Sequence, residues 1–315
     1  MSLLDAWIVH CADPLGSQSP PPSRKLAPGF AGQLVDQAEA HGVLGALLKN
    51  FPSFQQDSAF AAAREAARSR NRSNAAFSAL LARETDALKP ELKEVGAIVV
   101  KGATFARNLY PTTSLRCFTD IDILAPDDAL SRLGEVLSDR GFYLAESHKR
   151  EFKWLSRDND RIMVEVQTDL VHPDSLHNAI SLSSAAIASA PYSPAAFLIV
   201  ALVHGAGHQY ERLQHVVDIR QAAHNLPPAD EASLETLVQA TNARLAAVSG
   251  LLLAGRLFGD ARCRDIAREI GSTRLRELAN FLLDRTVIMS TTDPRRAIFN
   301  WRRQAFRLLL RYDLP

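Results

Sequence analysis

The stretch Val100 to Leu124, VKGATFARNLYPTTSLRCFTDIDIL, decides the fold. The apolar run Ala97-Ile98-Val99-Val100 leads into it, and a short run rich in β-branched residues reads as a strand. Lys101-Gly102 ends that strand. ATFARNLY then reads as a short helix that Pro111 stops. Thr119 to Leu124, TDIDIL, reads as a second strand. Strand side chains alternate between faces, so Asp120 and Asp122 share one face while Ile121 and Ile123 turn to the core. Two carboxylates this close repel unless a cation neutralises them, and such an oxygen-rich pair suits Mg²⁺.

Downstream, Pro126 opens a helix to about Arg140, with Gly141 as its C-cap. FYLAES and EFKWLS read as strand segments, and Arg157 to Asp160 as a turn. RIMVEVQTD reads as the returning strand of a hairpin. On it Glu165, Gln167 and Asp169 share one face, and Val164 and Val166 take the other. If this strand lies beside the Asp120 strand, Glu165 completes a three-carboxylate site; Asp169 competes for the third place but sits near the strand end. Such a site can hold one or two Mg²⁺ ions and activate a hydroxyl for attack on a phosphate. Upstream, Gly102 permits close approach of a phosphate. Lys101 can neutralise a triphosphate, and Arg116 lies four residues before Asp120. Neither GxxxxGK[ST] nor GxGxxG occurs, which excludes a P-loop and a dinucleotide fingerprint.

Either side of this unit the apolar period is helical. A Pro- and Ser-rich loop at 16–29 precedes expected helices over 30–49 and 58–88, the latter punctuated by Pro90 and Gly96. Further helices are expected over about 194–224, 229–255, 260–287 and 295–312. The expected division is an N-terminal helical region at 1–92, an α/β core at 93–190 and a C-terminal helical domain at 191–315. Within the helix after Ser193, His204, His208, Glu211, His215 and Asp218 recur at steps of four, three, four and three and so share a face. Arg212 stands beside them. Zinc, a structural network and a phosphate-contacting wall are the three readings of this stripe; HExxH is absent. His172 is a loop histidine and a second candidate base.

The 315 residues carry 36 Lys+Arg against 35 Asp+Glu, so average charge selects no nucleic acid and no acidic membrane. The average hides local excess. Residues 295–312 hold six Arg and no acid, with Ile298, Trp301, Ala305, Leu308, Leu309 and Tyr312 as an apolar stripe. Docking of that stripe on the body is the expectation, and peripheral membrane or protein contact through 295–312 the alternative. Arg64, Arg68, Arg70 and Arg72 form a second basic patch. The scattered Cys11, Cys117 and Cys263 make no disulfide framework. A start without a basic n-region and the lack of a long apolar run lead to the expectation of a cytoplasmic protein.

Taken together, Lys101-Gly102, Tyr110-Pro111, Arg116 and Asp120-Ile121-Asp122 resemble the uncharacterised nucleotidyltransferases of the DNA polymerase beta superfamily. The Glu165 strand, His204, His208, Arg212-Leu213 and Asp218 extend the resemblance to roughly residues 60–225. It implies an α+β fold: a polymerase-beta-like core with a small mixed sheet, flanked by N-terminal helices and a C-terminal helical domain. Asp120 and Asp122 match the metal-binding pair, Glu165 the third acid, and Gly102 the glycine that seats the phosphates. Gly102-Ala103 stands where Gly-Gly or Gly-Ser is usual, and Gln167 where a histidine is common. The implied reaction is Mg²⁺-dependent (or Mn²⁺-dependent) transfer of a nucleoside monophosphate from an NTP, with ATP the expected donor. Its acceptor is a hydroxyl of a small molecule, peptide or protein. Lys101, Gly102, Arg116, His204, His208 and Arg212 are the expected nucleotide contacts. The alternatives are a non-catalytic nucleotide-binding or scaffold protein, and a transferase acting on nucleic acid, which the balanced charge disfavours.

Overall fold

The computed structural model describes residues 2–148, 150–171, 180–284, 289 and 301–310. His172 therefore lies outside the described residues, as do 295–300 and 311–312 of the basic tail. The chain begins with α1 (Leu3–Cys11), α2 (Ala31–Ala40), α3 (Leu44–Asn50), α4 (Pro52–Gln56) and the long α5 (Ala61–Glu94). The expected helix over 30–49 is two helices. Gly42, at φ +71°, breaks it, and a side chain there would strike Gln214. Conversely, α5 runs through Pro90 to Glu94. The bond that Pro90 forfeits would have gone to the carbonyl of Asp86, and both residues lie on the exposed face, where water can replace it.

Next come β1 (Ile98–Val99), α6 (Ala103–Asn108), β2 (Ile121–Leu124), α7 (Leu130–Asp139), β3 (Phe142–His148), β4 (Glu151–Ser156) and β5 (Met163–Gln167). They build one five-stranded sheet in the order β1-β2-β5-β4-β3. Only the β2–β5 pair is parallel; β1–β2, β3–β4 and β4–β5 are antiparallel. The sheet is therefore mixed, and the fold is α+β as the motif implied. Ile121, Ile123, Val164 and Val166 project from one face onto Leu81, Leu88 and Leu92 of α5 and Leu133 and Leu137 of α7. Burying this aliphatic layer stabilises the fold by about 1.5–3 kcal/mol per side chain before entropy is subtracted. It also fixes the sheet face on which the alternate residues stand.

The C-terminal half holds α8 (Ser184–Ile187), α9 (Pro194–Gly207), α10 (Leu213–Asn225), α11 (Glu231–Ala240), α12 (Arg244–Leu257), α13 (Ala261–Ile270), α14 (Thr273–Leu282) and α15 (Trp301–Leu309). Each long helix expected over 194–224, 229–255 and 260–287 is interrupted. Gln209 and Tyr210 take φ +52° after α9, and Asn242 does so after α11. At the third break, a side chain on Gly271 would collide with Val248. Leu34 and Phe51 of the N-terminal helices share one apolar core with Leu198, Leu202 and Val248 of this half. No described helix is long and apolar enough to cross a membrane.

The basic elements are largely spent on structure. Arg70 pairs with Asp36 and Glu39, Arg72 with Glu65, and Arg64 donates to the Phe54 carbonyl. The α15 helix docks on the body with part of the expected stripe: Ala305 and Leu309 pack against the core beside the buried Arg303, Phe306 and Leu310, while Trp301 is 61% and Leu308 51% exposed. Phe306 is chosen by its fit against Tyr210, 5.9 Å away between ring centroids.

Candidate active site

Parallel pairing sets Asp122 opposite Glu165. Side chains at paired positions stand on the same face, so these carboxylates meet on the face opposite the aliphatic layer. Asp120 joins from the residue just before β2. Oxygens of Asp120, Asp122 and Glu165 lie within 4.8 Å of one another. Asp169 does not compete. Its carboxylate accepts from the backbone N–H groups of Val171 (2.9 Å) and Leu182 (3.0 Å) and from the Ser181 hydroxyl, holding a loop together.

The charge of Asp122 acts on both of its neighbours. The charge of Asp122, followed by burial, raises Asp120 to about 6. Burial, then a hydrogen bond with Glu151 and the charge of Asp122, raises Glu165 to about 8. Three hard oxygen donors on two adjacent strands fit Mg²⁺ or Mn²⁺. The site already draws in a positive charge, because the Lys101 ammonium lies 2.7 Å from the Asp122 carboxylate. The raised values carry a signed prediction. Glu165 stays protonated in the fold above its ordinary value of 4.5. Its contribution to stability is complete below that pH and is lost as pH rises through about 8. Metal-free protein should therefore melt at falling temperature between pH 5 and 8, roughly. Mg²⁺ must displace these protons, so the melting increment it gives should grow over the same range. A melting series with and without Mg²⁺ checks both slopes, and Asp122→Asn should flatten them.

Lys101 and Gly102 form the turn between β1 and α6. Gly102 adopts φ +51°, which an L side chain resists, and a Cβ there would press on Phe118 at 3.2 Å and on the Asp120 carbonyl at 3.3 Å. This turn, Asp120 and Asp122 border one cavity of about 500 Å³. Its far wall carries His204, His208, Arg212 and His215.

The histidines do not share one helix face as the spacing predicted. The chain reverses after Gly207, and His204 of α9 meets His215 of α10 across the turn, with ring centroids 5.2 Å apart. His208 lies 4.6 Å from His204 and 5.1 Å from His215. Gly205 makes the reversal possible: a Cβ there would sit 2.9 Å from the Tyr210 ring, which folds beneath the helix and donates to the Ala246 carbonyl. Burial, and then Lys101, pushes His204 well below its usual range; burial, and then His208, does the same to His215. Among the described residues, the acid trio is the group whose ligand atoms converge closely enough for a metal; the histidines do not.

Arg116 and Asp218 line the same cavity and are bonded to each other. The Arg116 guanidinium grips Asp218 through two bonds of 2.8 and 2.9 Å, and Tyr110 donates to the same carboxylate at 2.6 Å. A further Arg116 nitrogen reaches the Gly102 carbonyl at 3.4 Å. This buried latch ties the Lys101-Gly102 turn to α10. Sequence reading missed it because its members lie about a hundred residues apart. Glu39, Asn74 and Gln214 also line the cavity, and nothing local marks them for that place.

A family model described as an uncharacterised nucleotidyltransferase matches residues 31–259, more of the flanking helices than the motif residues alone reach. No curated protein and no solved structure matches the chain.

Proposed function

Because the chain belongs to the uncharacterised nucleotidyltransferase family, we propose that it moves a nucleoside monophosphate from an NTP, with ATP the expected donor, to an acceptor hydroxyl. The acceptor is a small molecule, a peptide or a protein. The observation that carries this reading is the three-carboxylate cluster of Asp120, Asp122 and Glu165 beside the Lys101-Gly102 turn.

Asp120, Asp122 and Glu165 would hold Mg²⁺ or Mn²⁺, which supplies charge neutralisation at the transferring phosphoryl group. Lys101, Gly102, His204, His208 and Arg212 border the space for the phosphates. Arg116 acts on that space by holding the Gly102 carbonyl. In the transfer, the acceptor oxygen bonds to the α-phosphorus as the bond from that phosphorus to the β-bridging oxygen breaks. Pyrophosphate leaves, and the acceptor proton passes to a carboxylate. Glu165, the third carboxylate of the cluster, is the residue assigned that proton.

The test is a panel of α-³²P-labelled NTPs incubated with cell lysate, protein and Mg²⁺. Transfer of label with pyrophosphate release, removed by chelator, is expected. Nucleotide binding without any label transfer would replace the enzyme reading with that of a non-catalytic binding protein.

A further inference from the structure

Lys101 stands between two partners of different kinds. Its ammonium nitrogen lies 2.7 Å from the Asp122 carboxylate and 3.2 Å from Nδ1 of His204. Both members of the ion pair are less than a tenth exposed. An ammonium has three donors and no acceptor. His204 Nδ1 must therefore accept, which assigns His204 the neutral tautomer with its proton on Nε2. A neutral imidazole holds the ammonium by one hydrogen bond without competing for its charge. The ammonium thus has one charged anchor, Asp122, and one neutral tether, His204.

That anchor is also the central carboxylate of the acid trio. A divalent ion and the Lys101 ammonium cannot both have full use of the Asp122 charge. Resting on the nucleotidyltransferase reading, we propose that Lys101 is a built-in counter-ion of the metal-free acid site. The metal displaces it from Asp122, and it is released, still tethered by His204, to the phosphates of the arriving nucleotide. The consequence is synergy. Metal alone must dislodge the ammonium without compensation, whereas the metal–nucleotide complex brings the anionic oxygens that receive it. Each ligand then tightens the other's binding by the same factor.

Direct Mn²⁺ binding, read from the free-ion paramagnetic resonance signal, tests this with and without a non-hydrolysable ATP analogue. Wild type, Lys101→Met, Lys101→Arg and Asp122→Asn are compared. Lys101→Met should bind Mn²⁺ alone about tenfold more tightly than wild type, because a like charge has left the site. It should bind the Mn²⁺–analogue complex about tenfold more weakly. Lys101→Arg, which keeps the charge, should stay near wild type in both. Opposite signs in the two arms are not produced by a general loosening of the fold. Equal or weaker binding of Mn²⁺ alone by Lys101→Met overturns the counter-ion role. Mn²⁺ binding that Asp122→Asn leaves unchanged overturns the acid-site reading itself. Should Lys101→Met fail to fold, His204→Leu serves. Without its tether the ammonium belongs wholly to Asp122, so Mn²⁺ alone should bind about threefold more weakly while the nucleotide still receives the ammonium, and the synergy should grow by about that factor; unchanged Mn²⁺ binding with unchanged synergy overturns the proposal.

Discussion

Asp122→Asn should abolish nucleotidyl transfer, lowering turnover by at least about a hundredfold to a thousandfold, the scale of losing one key electrostatic group. Asp122 is the buried member of the trio, pairs in register with Glu165, and receives the Lys101 ammonium. Asparagine keeps the shape and one oxygen but removes the charge. The neighbouring aliphatic layer is untouched, but the Lys101 ammonium loses its buried partner, so a retained fold with a lowered melting temperature is expected. Turnover of α-labelled NTP at saturating Mg²⁺, alongside a circular dichroism spectrum, measures both. Asp169→Asn is the control: that carboxylate organises a loop, and the variant should keep turnover within a few fold of wild type. Full activity in Asp122→Asn would remove the acid trio from the chemistry.

Asp218→Asn should have the largest effect on stability, about 3–5 kcal/mol, the cost of leaving one member of a buried ion pair unmatched. Arg116 and Asp218 have side chains only 6% and 3% exposed, so water cannot take over the abandoned charge. For a chain of this size the melting temperature should drop by on the order of 10 °C. Replacing both members, with Arg116→Met and Asp218→Leu, should recover much of the loss, since the penalty arises from the unpaired charge. Thermal and denaturant melts of the two single variants and the double variant close the cycle. The same series separates two roles for Arg116. A latch makes Arg116→Lys less stable, whereas a direct phosphate contact makes it bind nucleotide weakly at an unchanged melting temperature.

These two sites mark where sequence reading succeeds and where it stops. The alternation of Asp120-Ile121-Asp122-Ile123 is a local property of any extended chain. Its faces were therefore legible before any partner strand was known. The same holds for Val164-Glu165-Val166 and for the glycine turn at Gly102. The third acid was legible only conditionally, because Glu165 and Asp169 lie on the same side of their strand. The β2–β5 register chose Glu165, and the Val171 and Leu182 amides claimed Asp169.

The histidine stripe shows the opposite case. A helical period predicts neighbours only while the helix continues, and this one ends at Gly207. His204 and His215 nevertheless meet, because Tyr210 turns the chain back and packs beneath Gly205. In α15 the period placed Ala305 and Leu309 on the docking face, but that face is centred on Phe306 against Tyr210 and leaves Trp301 and Leu308 exposed.

The sequence by itself determined the strand–turn–helix–strand order, the acidic face of the sheet and the glycine beside it. These depend on backbone alternation and conformational preference within a few residues. Tertiary structure alone decided the strand register, the partner of Arg116, the tether of Lys101 and the wall of the cavity. Those depend on residues brought together from 43 to 103 positions apart, where burial and charge pairing, rather than local period, choose the neighbour.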